Sequence, residues 1–266
     1  MAKWFHKVDL DWLKARQKCL TATDVMDLIP FTKTGRKRTI TDEHYMKVLA
    51  RKLANLTEDD CVSTGAAARG HILEPYAIDR YNEEDFGGNE FLWHWDDLIV
   101  TRSVHQPFAL SFSPDAMSLD PNSPLLLKDS VYQGIGFDVD AIGEVKCYSP
   151  ERHMLCGYTE KEDLEERWQV ATAMAVLDSI KTAYLLFYNP SMQNQLYIVD
   201  YDRSDLYDEI DTILQVEKDW LSWVGNFGKH NYHYLVKGKA SEEQSIIDAI
   251  IKAEELNPEG ERSVVR

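Results

Sequence analysis

Cysteine is scarce in this chain, and its spacing excludes two classes of small, cross-linked fold. The four cysteines, Cys19, Cys61, Cys147 and Cys156, are spread over 266 residues without a C-x-x-C motif. That spacing argues against a zinc ribbon, and a disulfide framework is not expected at this length. We therefore expect free thiols in a chain long enough to bury a sizeable hydrophobic core.

Long apolar runs are also missing. No stretch approaches the roughly 20 consecutive apolar residues that a membrane-spanning helix needs. The first seven residues contain two lysines and a histidine, and they lack the apolar centre of a signal peptide. The sequence therefore predicts a cytoplasmic protein with no membrane partner.

Positive charge is in deficit, with a formal net charge of −16. The deficit is uneven, because residues 1–60 carry 12 Lys and Arg against 9 Asp and Glu, and the remainder carries 17 against 36. Four basic residues cluster in one predicted loop: Lys33, Arg36, Lys37 and Arg38. The field that a polyanion meets is local, within about 10 Å at moderate salt, so this loop remains a candidate DNA contact. Solubility alone, or mimicry of DNA by carboxylates, are the alternative explanations of the acidic total.

The order of predicted elements indicates an α/β fold with a central mixed β-sheet flanked by helices. The chain has no internal repeat and no low-complexity linker. Periodicity and turn signals predict helices over residues 9–18, 21–30, 41–55, 63–82, 161–177, 204–223 and 241–256. They predict strands over residues 91–101, 108–112, 115–119, 141–147, 182–188 and 196–201, the first three as a meander.

We expect one domain over residues 1–240, followed by a C-terminal helix and tail over 241–266. Its helical, DNA-contacting part spans about residues 1–85, and its sheet and catalytic core about residues 90–225. Residues 120–136 are interpreted as an insertion or long hairpin. Pro75 is expected to interrupt the hydrogen bonds of the helix that contains it.

The candidate chemistry lies in two motifs, Ser113-Pro114-Asp115 and Glu144-Val145-Lys146. Residues two apart on a strand project from the same face, so Glu144 and Lys146 are expected to point to one place. Mg²⁺ takes oxygen ligands and keeps several waters, so Asp115, Glu144 and the carbonyl of Val145 are candidate ligands. Lys146 would orient or deprotonate an attacking water, or neutralise developing charge. An ordinary exposed Glu–Lys pair is the alternative for either motif taken alone.

Two further side chains are candidates for the same site. Gly70 and Glu74 share a helix face, so Glu74 is expected to reach the site as a third carboxylate, with Gly70 allowing close backbone approach. Gln169 lies on a predicted helix after the Glu144 strand, where it would hold a phosphate or a water. A solvated Glu and a surface Gln are the alternatives.

The ordered combination of motifs resembles the phage lambda exonuclease family, the YqaJ-type viral recombinases of the PD-(D/E)XK nuclease superfamily. The resemblance covers roughly residues 10–200. It rests on Arg16, Leu20-Thr21-Ala22-Thr23-Asp24-Val25, Arg69-Gly70 with Glu74-Pro75, Ser113-Pro114-Asp115, Glu144-Val145-Lys146-Cys147 and Gln169-Val170.

This resemblance implies a restriction-endonuclease-like core and a 5′-to-3′ exodeoxyribonuclease that uses Mg²⁺, with Mn²⁺ expected to substitute. Such enzymes resect linear double-stranded DNA ends that carry a 5′-phosphate, and they leave 3′ single strands for phage-type recombination. They form ring-shaped homotrimers and serve a single-strand annealing protein, here in the host cytoplasm if the chain is phage-encoded. The longer 120–136 segment and the acidic tail depart from the family pattern. Clustered cysteines for an Fe–S centre are absent.

The resemblance also implies roles for individual residues. By match of motif, Asp115 and Glu144 are metal ligands and Lys146 is the catalytic lysine. Glu74 and Gln169 complete the catalytic set. Contacts to DNA are implied for Arg16, Thr23, Lys33, Arg36, Lys37, Arg38 and Arg69.

Residue chemistry supports a 5′-phosphate site at Arg16 and Thr23 independently. A guanidinium fork matches phosphate oxygens, and a hydroxyl with free N–H groups at a helix start attracts an anion. The alternative for Arg16 is a surface arginine. Two other functions stay open from sequence: a PD-(D/E)XK endonuclease, which would cut closed circles, and a non-catalytic DNA-binding or DNA-mimic protein.

Overall fold

A mixed five-stranded sheet carries the two motifs and forms the centre of the protein. The computed structural model describes residues 5–31, 37–83, 90–96, 98–103, 105–119, 131–133 and 139–235. In these ranges the helices are α1 Leu10–Gln17, α2 Ala22–Leu28, α3 Asp42–Lys52, α4 Gly65–Glu83, α5 Pro150–Cys156, α6 Arg167–Val176 and α7 Tyr207–Leu235, with 3₁₀ turns at Lys161–Asp163 and Arg203–Leu206. The strands are β1 Phe5–Lys7, β2 Leu20–Thr21, β3 Val62–Thr64, β4 Trp93–His94, β5 Ile99–Thr101, β6 Leu110–Phe112, β7 Ala116–Met117, β8 Val131–Gln133, β9 Ala141–Lys146, β10 Thr182–Tyr188 and β11 Leu196–Asp202.

The strands of the central sheet follow the order β11-β10-β9-β7-β4. Only β9 and β10 are parallel, and the other neighbours run antiparallel. A second sheet has the order β2-β6-β5-β8, and β1 pairs with β3 as a separate two-stranded sheet. The predicted α/β class with a mixed sheet covered by helices is confirmed.

Helix α4 covers one face of the central sheet, and α6 covers the other. Side chains along each strand alternate between these two faces. Ala141 and Val145 pack in one buried cluster with the apolar residues of α4, whereas Ile142 joins the larger cluster that contains α6. By the same alternation Glu144 and Lys146 face the α6 side. The apolar run of β10 is buried as expected for a strand covered on both faces.

A buried ion pair joins α2 to α3. Thr21 caps α2 through a reciprocal capping box with Asp24. Lys52 Nζ also forms an ion pair with the Asp24 carboxylate, and both side chains are only 5% exposed. Burial acts to raise the pKa of Asp24, but the charge of Lys52 and the Thr21 hydrogen bonds outweigh it and lower that pKa. This ion pair holds the first turn of α2 against the C-terminal end of α3.

Several predicted boundaries are wrong for identifiable reasons. The strand expected over residues 91–101 is divided into β4 and β5, which belong to different sheets, so the three strands after residue 90 do not form a meander. By contrast, the α4 helix contains Pro75 as predicted, and the helix lacks one hydrogen bond there because proline has no backbone N–H. The helix expected over residues 161–177 consists of a 3₁₀ turn followed by α6.

Other differences concern elements that sequence patterns did not indicate. The α5 helix was not predicted, although Ser149 caps it and Pro150 begins it. The α7 helix continues to Leu235 instead of ending near residue 223. The helix expected over 241–256 and most of the 120–136 segment lie outside the described residues. Among the described helices, none is both long and apolar enough to cross a membrane.

We predict that Lys52→Met lowers the free energy of unfolding by about 3 kcal/mol, because it removes one partner of a buried ion pair and leaves the other charge buried. Chemical denaturation measures the loss. Lys47→Met is the matched control, since the Lys47 side chain is 64% exposed and pairs with Asp27 at 3.5 Å. That change should cost less than about 1 kcal/mol. Equal losses for the two variants would contradict the assignment of the buried pair.

Candidate functional site

Pairing of β7 with β9 brings the two sequence motifs together. Ala116 lies opposite Gly143 in the antiparallel ladder, so Asp115 comes to the neighbouring stretch of β9. The backbone N–H of Val145 donates to Asp115 Oδ2 at 2.7 Å. The Asp115 carboxylate thus accepts the hydrogen bond that a backbone carbonyl of the neighbouring strand would otherwise accept. In a strand the N–H and C=O of one residue point to the same side, so the Val145 carbonyl also faces Asp115.

Glu144 and Lys146 project from one face of β9, as their spacing predicts. Lys146 Nζ lies 2.5 Å from Glu144 Oε1, and each side chain is 19% exposed. Lys146 is therefore held as a cation beside the carboxylates, with its head group within reach of the cavity that they line. This contact is a partly buried, charge-assisted hydrogen bond.

The carboxylates of the site are short of positive charge. Burial raises the pKa of Asp115 well above its usual value, and the charges of Glu144 and Glu74 raise it further, whereas Lys146 opposes them. Burial acts to lower the pKa of Lys146, but Glu144 and Asp115 outweigh it and raise that pKa. Glu144 and Glu74 thus both act on the Asp115 carboxylate, and Lys146 is the cation that opposes them. A divalent cation would relieve this repulsion.

The donor set fits a hard cation bound by few protein ligands. Asp115, Glu144 and the Val145 carbonyl offer oxygens only, which is the preference of Mg²⁺, and Mg²⁺ keeps several waters. Across the described residues, no three His, Cys, Asp or Glu side chains form a ready-made metal cluster. A cation bound here would take two carboxylates and a backbone carbonyl and would keep waters, which differs from a closed structural centre.

All five residues predicted to be catalytic meet at one cavity of about 250 Å³. They are Asp115, Glu144, Lys146, Glu74 and Gln169. A second cavity of about 40 Å³ adjoins it, and Arg16, Glu144 and Gln169 line both. Thr23 lines the smaller one. The structure therefore brings the predicted 5′-phosphate residues next to the predicted catalytic residues.

Gly70 has a different surrounding from the one expected. A methyl group added at Gly70 would meet only Glu74 Oε1, at 4.0 Å. The prediction of a closely approaching backbone is therefore wrong. The glycine instead leaves open space beside the Glu74 carboxylate.

Two arginines predicted to contact DNA are already used within the fold. Arg69 donates to the carbonyls of Cys147 and Tyr148 at 2.8 and 3.2 Å, which braces the chain after β9. Arg38 donates to the carbonyls of Ile29 and Met26, both at 2.9 Å. Each guanidinium therefore also braces the fold, and the DNA-contacting role of both residues stays a prediction. Lys37 is exposed, and Lys33 and Arg36 lie outside the described residues.

Sequence reasoning gave no role to several polar residues at the cavity, among them His6, His71, Asp96 and Ser113. The rings of His6 and His71 stack with centroids 4.7 Å apart and planes at 22°. His71 Nδ1 lies 3.4 Å from Glu74 Oε1. His71 lies between Gly70 and Glu74, and Ser113 begins the Ser113-Pro114-Asp115 motif. Their positions in these two motifs were the available signal. No local pattern marks His6, which reaches the cavity through the pairing of β1 with β3.

The fold matches that of a known exonuclease, although sequence comparison gives no match. No protein-family model matches the chain, and no curated protein matches it in sequence. The crystal structure of LHK-Exo in complex with dAMP has a TM-score of 0.53 at 17% identity, over 86% of this chain and 97% of that one. The structure of the alkaline exonuclease LHK-Exo from Laribacter hongkongensis has a TM-score of 0.51 at 16% identity, over 85% of this chain and 100% of that one. At this identity the likeness establishes the fold.

We predict that Gly143→Ala destabilises the protein by about 1–3 kcal/mol, because overpacking forces a close contact apart. The added Cβ would lie 3.0 Å from Leu92 Cδ1 and 3.2 Å from Ala116 Cβ, at the β7–β9 pairing that holds Asp115. Urea denaturation measures the change. Gly70→Ala, in the open position on α4, should instead be neutral or stabilising by up to about 1 kcal/mol. A Gly143→Ala protein as stable as the native one would contradict the close packing of β7 on β9.

Proposed function

We propose that the protein is a Mg²⁺-dependent 5′-to-3′ exodeoxyribonuclease that resects linear double-stranded DNA ends and leaves 3′ single strands for phage-type homologous recombination. The observation that carries this proposal is the meeting of Asp115, Glu144 and Lys146 at one cavity. The likeness in fold to an alkaline exonuclease, over 85% of the chain, supports it.

The side chains divide the work of hydrolysis among them. Mg²⁺, held by Asp115, Glu144 and the Val145 carbonyl, would supply charge neutralisation and a water of lowered pKa. Lys146 is held beside Glu144 and is suited to orient the attacking water and to stabilise charge that develops on the phosphate. Gln169 offers an amide to the phosphate or the water at the cavity that it shares with Glu144.

The small cavity beside the carboxylates supports recognition of a strand end. Arg16 presents a guanidinium there, and its Cζ lies 5.1 Å from the centroid of the Trp12 ring, which holds the group by a cation–π contact. The Thr23 hydroxyl is exposed at the same cavity. A terminal 5′-phosphate bound here would set the distance from the strand end to the cleaved bond.

This end site favours an exonuclease over the alternative of a PD-(D/E)XK endonuclease. One of the similar structures is a complex of LHK-Exo with dAMP, a deoxynucleoside monophosphate. We propose that this chain releases deoxynucleoside 5′-monophosphates from the strand end. A ring-shaped homotrimer, a single-strand annealing partner and the host cytoplasm are parts of the proposal that rest on the sequence resemblance alone.

We predict that the protein digests linear duplex DNA in Mg²⁺ or Mn²⁺, spares closed circles, and is inactive in EDTA. Lys146→Ala should lower the rate by about 10²- to 10³-fold, the usual effect of losing one preorganised donor. Lys181→Ala, at an exposed lysine, is the control and should leave the rate unchanged.

Cutting of closed circles would favour the endonuclease, and unchanged cleavage by Lys146→Ala would remove the lysine from the mechanism. Calorimetric titration with Mn²⁺ tests the ligands without activity. Asp115→Asn should lose the binding that the native protein shows, and an unchanged isotherm would contradict the assigned ligand.

We predict that Arg16→Ala removes the preference for phosphorylated 5′ ends. The native enzyme should digest 5′-phosphorylated duplex about 10-fold or more faster than 5′-hydroxyl duplex, since a hydrogen bond to a charged group contributes about 1.5–3 kcal/mol. In Arg16→Ala the two rates should become similar. Lys14→Ala, an exposed position on the same helix, should keep the preference. A preference retained by Arg16→Ala would contradict the 5′-phosphate site.

A further inference from the structure

A pair of stacked histidines forms one wall of the catalytic cavity. The β1 strand pairs with β3 in the register His6–Ser63, and both strands lie against α4. This arrangement lays the His6 ring on the ring of His71, with centroids 4.7 Å apart. Both rings line the 250 Å³ cavity, and the side chain of His71 is 39% exposed.

The histidine pair lines the larger cavity and not the small one. The residues that line both cavities are Arg16, Ser113, Pro114, Glu144 and Gln169, whereas His6, His71, Glu74 and Asp115 line only the larger one. A strand whose 5′-phosphate occupies the small cavity, with its first internal phosphate at Asp115 and Glu144, would continue within the larger cavity, whose wall includes the histidines.

We propose that His71, braced by His6, binds the phosphate one nucleotide to the 3′ side of the cleaved phosphate. This assignment rests on the proposed exonuclease function and adds a substrate contact to it. Because Nδ1 faces Glu74, Nε2 is the ring nitrogen left to donate an N–H to a phosphate oxygen. The Glu74 contact at 3.4 Å and the His6 ring together restrict its orientation. His71 is thus a substrate-positioning residue, and it takes no part in bond breaking.

The surroundings of His71 favour a ligand contact over a purely structural role. The His71 side chain is 39% exposed at the wall of the cavity. Its ring stacks on the His6 ring at this partly exposed wall. A donor held there faces the cavity that the substrate strand would occupy.

The test is a double-mutant cycle between the residue and a single phosphate. The substrate is a 5′-phosphorylated duplex in which the phosphate between the second and third nucleotides is replaced by an uncharged methylphosphonate. Release of the first, labelled nucleotide is measured in single turnover for native protein, His71→Ala and His71→Gln. His105→Ala, an exposed histidine elsewhere, is the matched control, and thermal unfolding checks that each variant folds.

Native protein and His105→Ala should lose about 10-fold in rate on the methylphosphonate duplex, because a hydrogen bond to a charged group is removed. His71→Ala should be slower on the natural duplex by a similar factor and show little further loss on the modified one. His71→Gln, which keeps an N–H donor, should recover part of the rate on the natural duplex alone.

Independent, multiplying losses from His71→Ala and from the methylphosphonate would overturn the assignment, because residues that share one contact are not additive. A native protein that digests DNA without sensitivity to this methylphosphonate would also overturn it, while leaving the exonuclease function intact. A native protein with no Mg²⁺-dependent digestion would instead refute the function itself, and the His71 assignment with it.

Discussion

The hydrogen bond from the Val145 N–H to the Asp115 carboxylate is the contact on which the site depends. It joins residues 30 apart in sequence, beside the short pairing of β7 with β9. The acceptor is the Asp115 side chain, so one carboxylate both accepts a hydrogen bond from β9 and lines the cavity. A shift of one residue in this register would turn Glu144 and Lys146 to the opposite face, against the apolar residues of α4. Gly143 protects the register, because any larger residue would press on Ala116.

Part of this site could be read from the sequence, because its information is local. The two-residue spacing of Glu144 and Lys146 fixes their common face in any strand. The buried strand β10 and the capping box of α2 were also predictable from short patterns. Other outcomes depend on tertiary contacts. The division of residues 91–101 between two sheets is decided by the partners of β4 and β5, and no pattern within the segment encodes it.

The contacts of the basic side chains show the same limit of prediction from sequence. Arg16, Arg38 and Arg69 looked equivalent as phosphate ligands, since each carries the same guanidinium. In the structure Arg69 and Arg38 donate to backbone carbonyls of their own chain, and Arg16 lines the cavities. Which arginine stays available depends on which carbonyls the fold leaves without partners, and that cannot be judged from sequence spacing.

The distribution of charge is compatible with the proposed action of so acidic a protein on a polyanion. Elsewhere in the described chain, buried acids have close partners: Asp24 has Lys52, Glu166 has Arg152 and Tyr148, and Glu217 has Arg102 and the Leu110 N–H. At the cavity, by contrast, Glu144 and Glu74 both act on Asp115, Glu144 pairs with Lys146, and Glu74 lies 3.4 Å from His71, which is charged only when protonated. Burying like charges together costs free energy that a fold avoids where nothing is gained. The proposed divalent cation would supply the missing positive charge, and it would then bring the phosphate of the proposed DNA substrate to a site that would otherwise repel it.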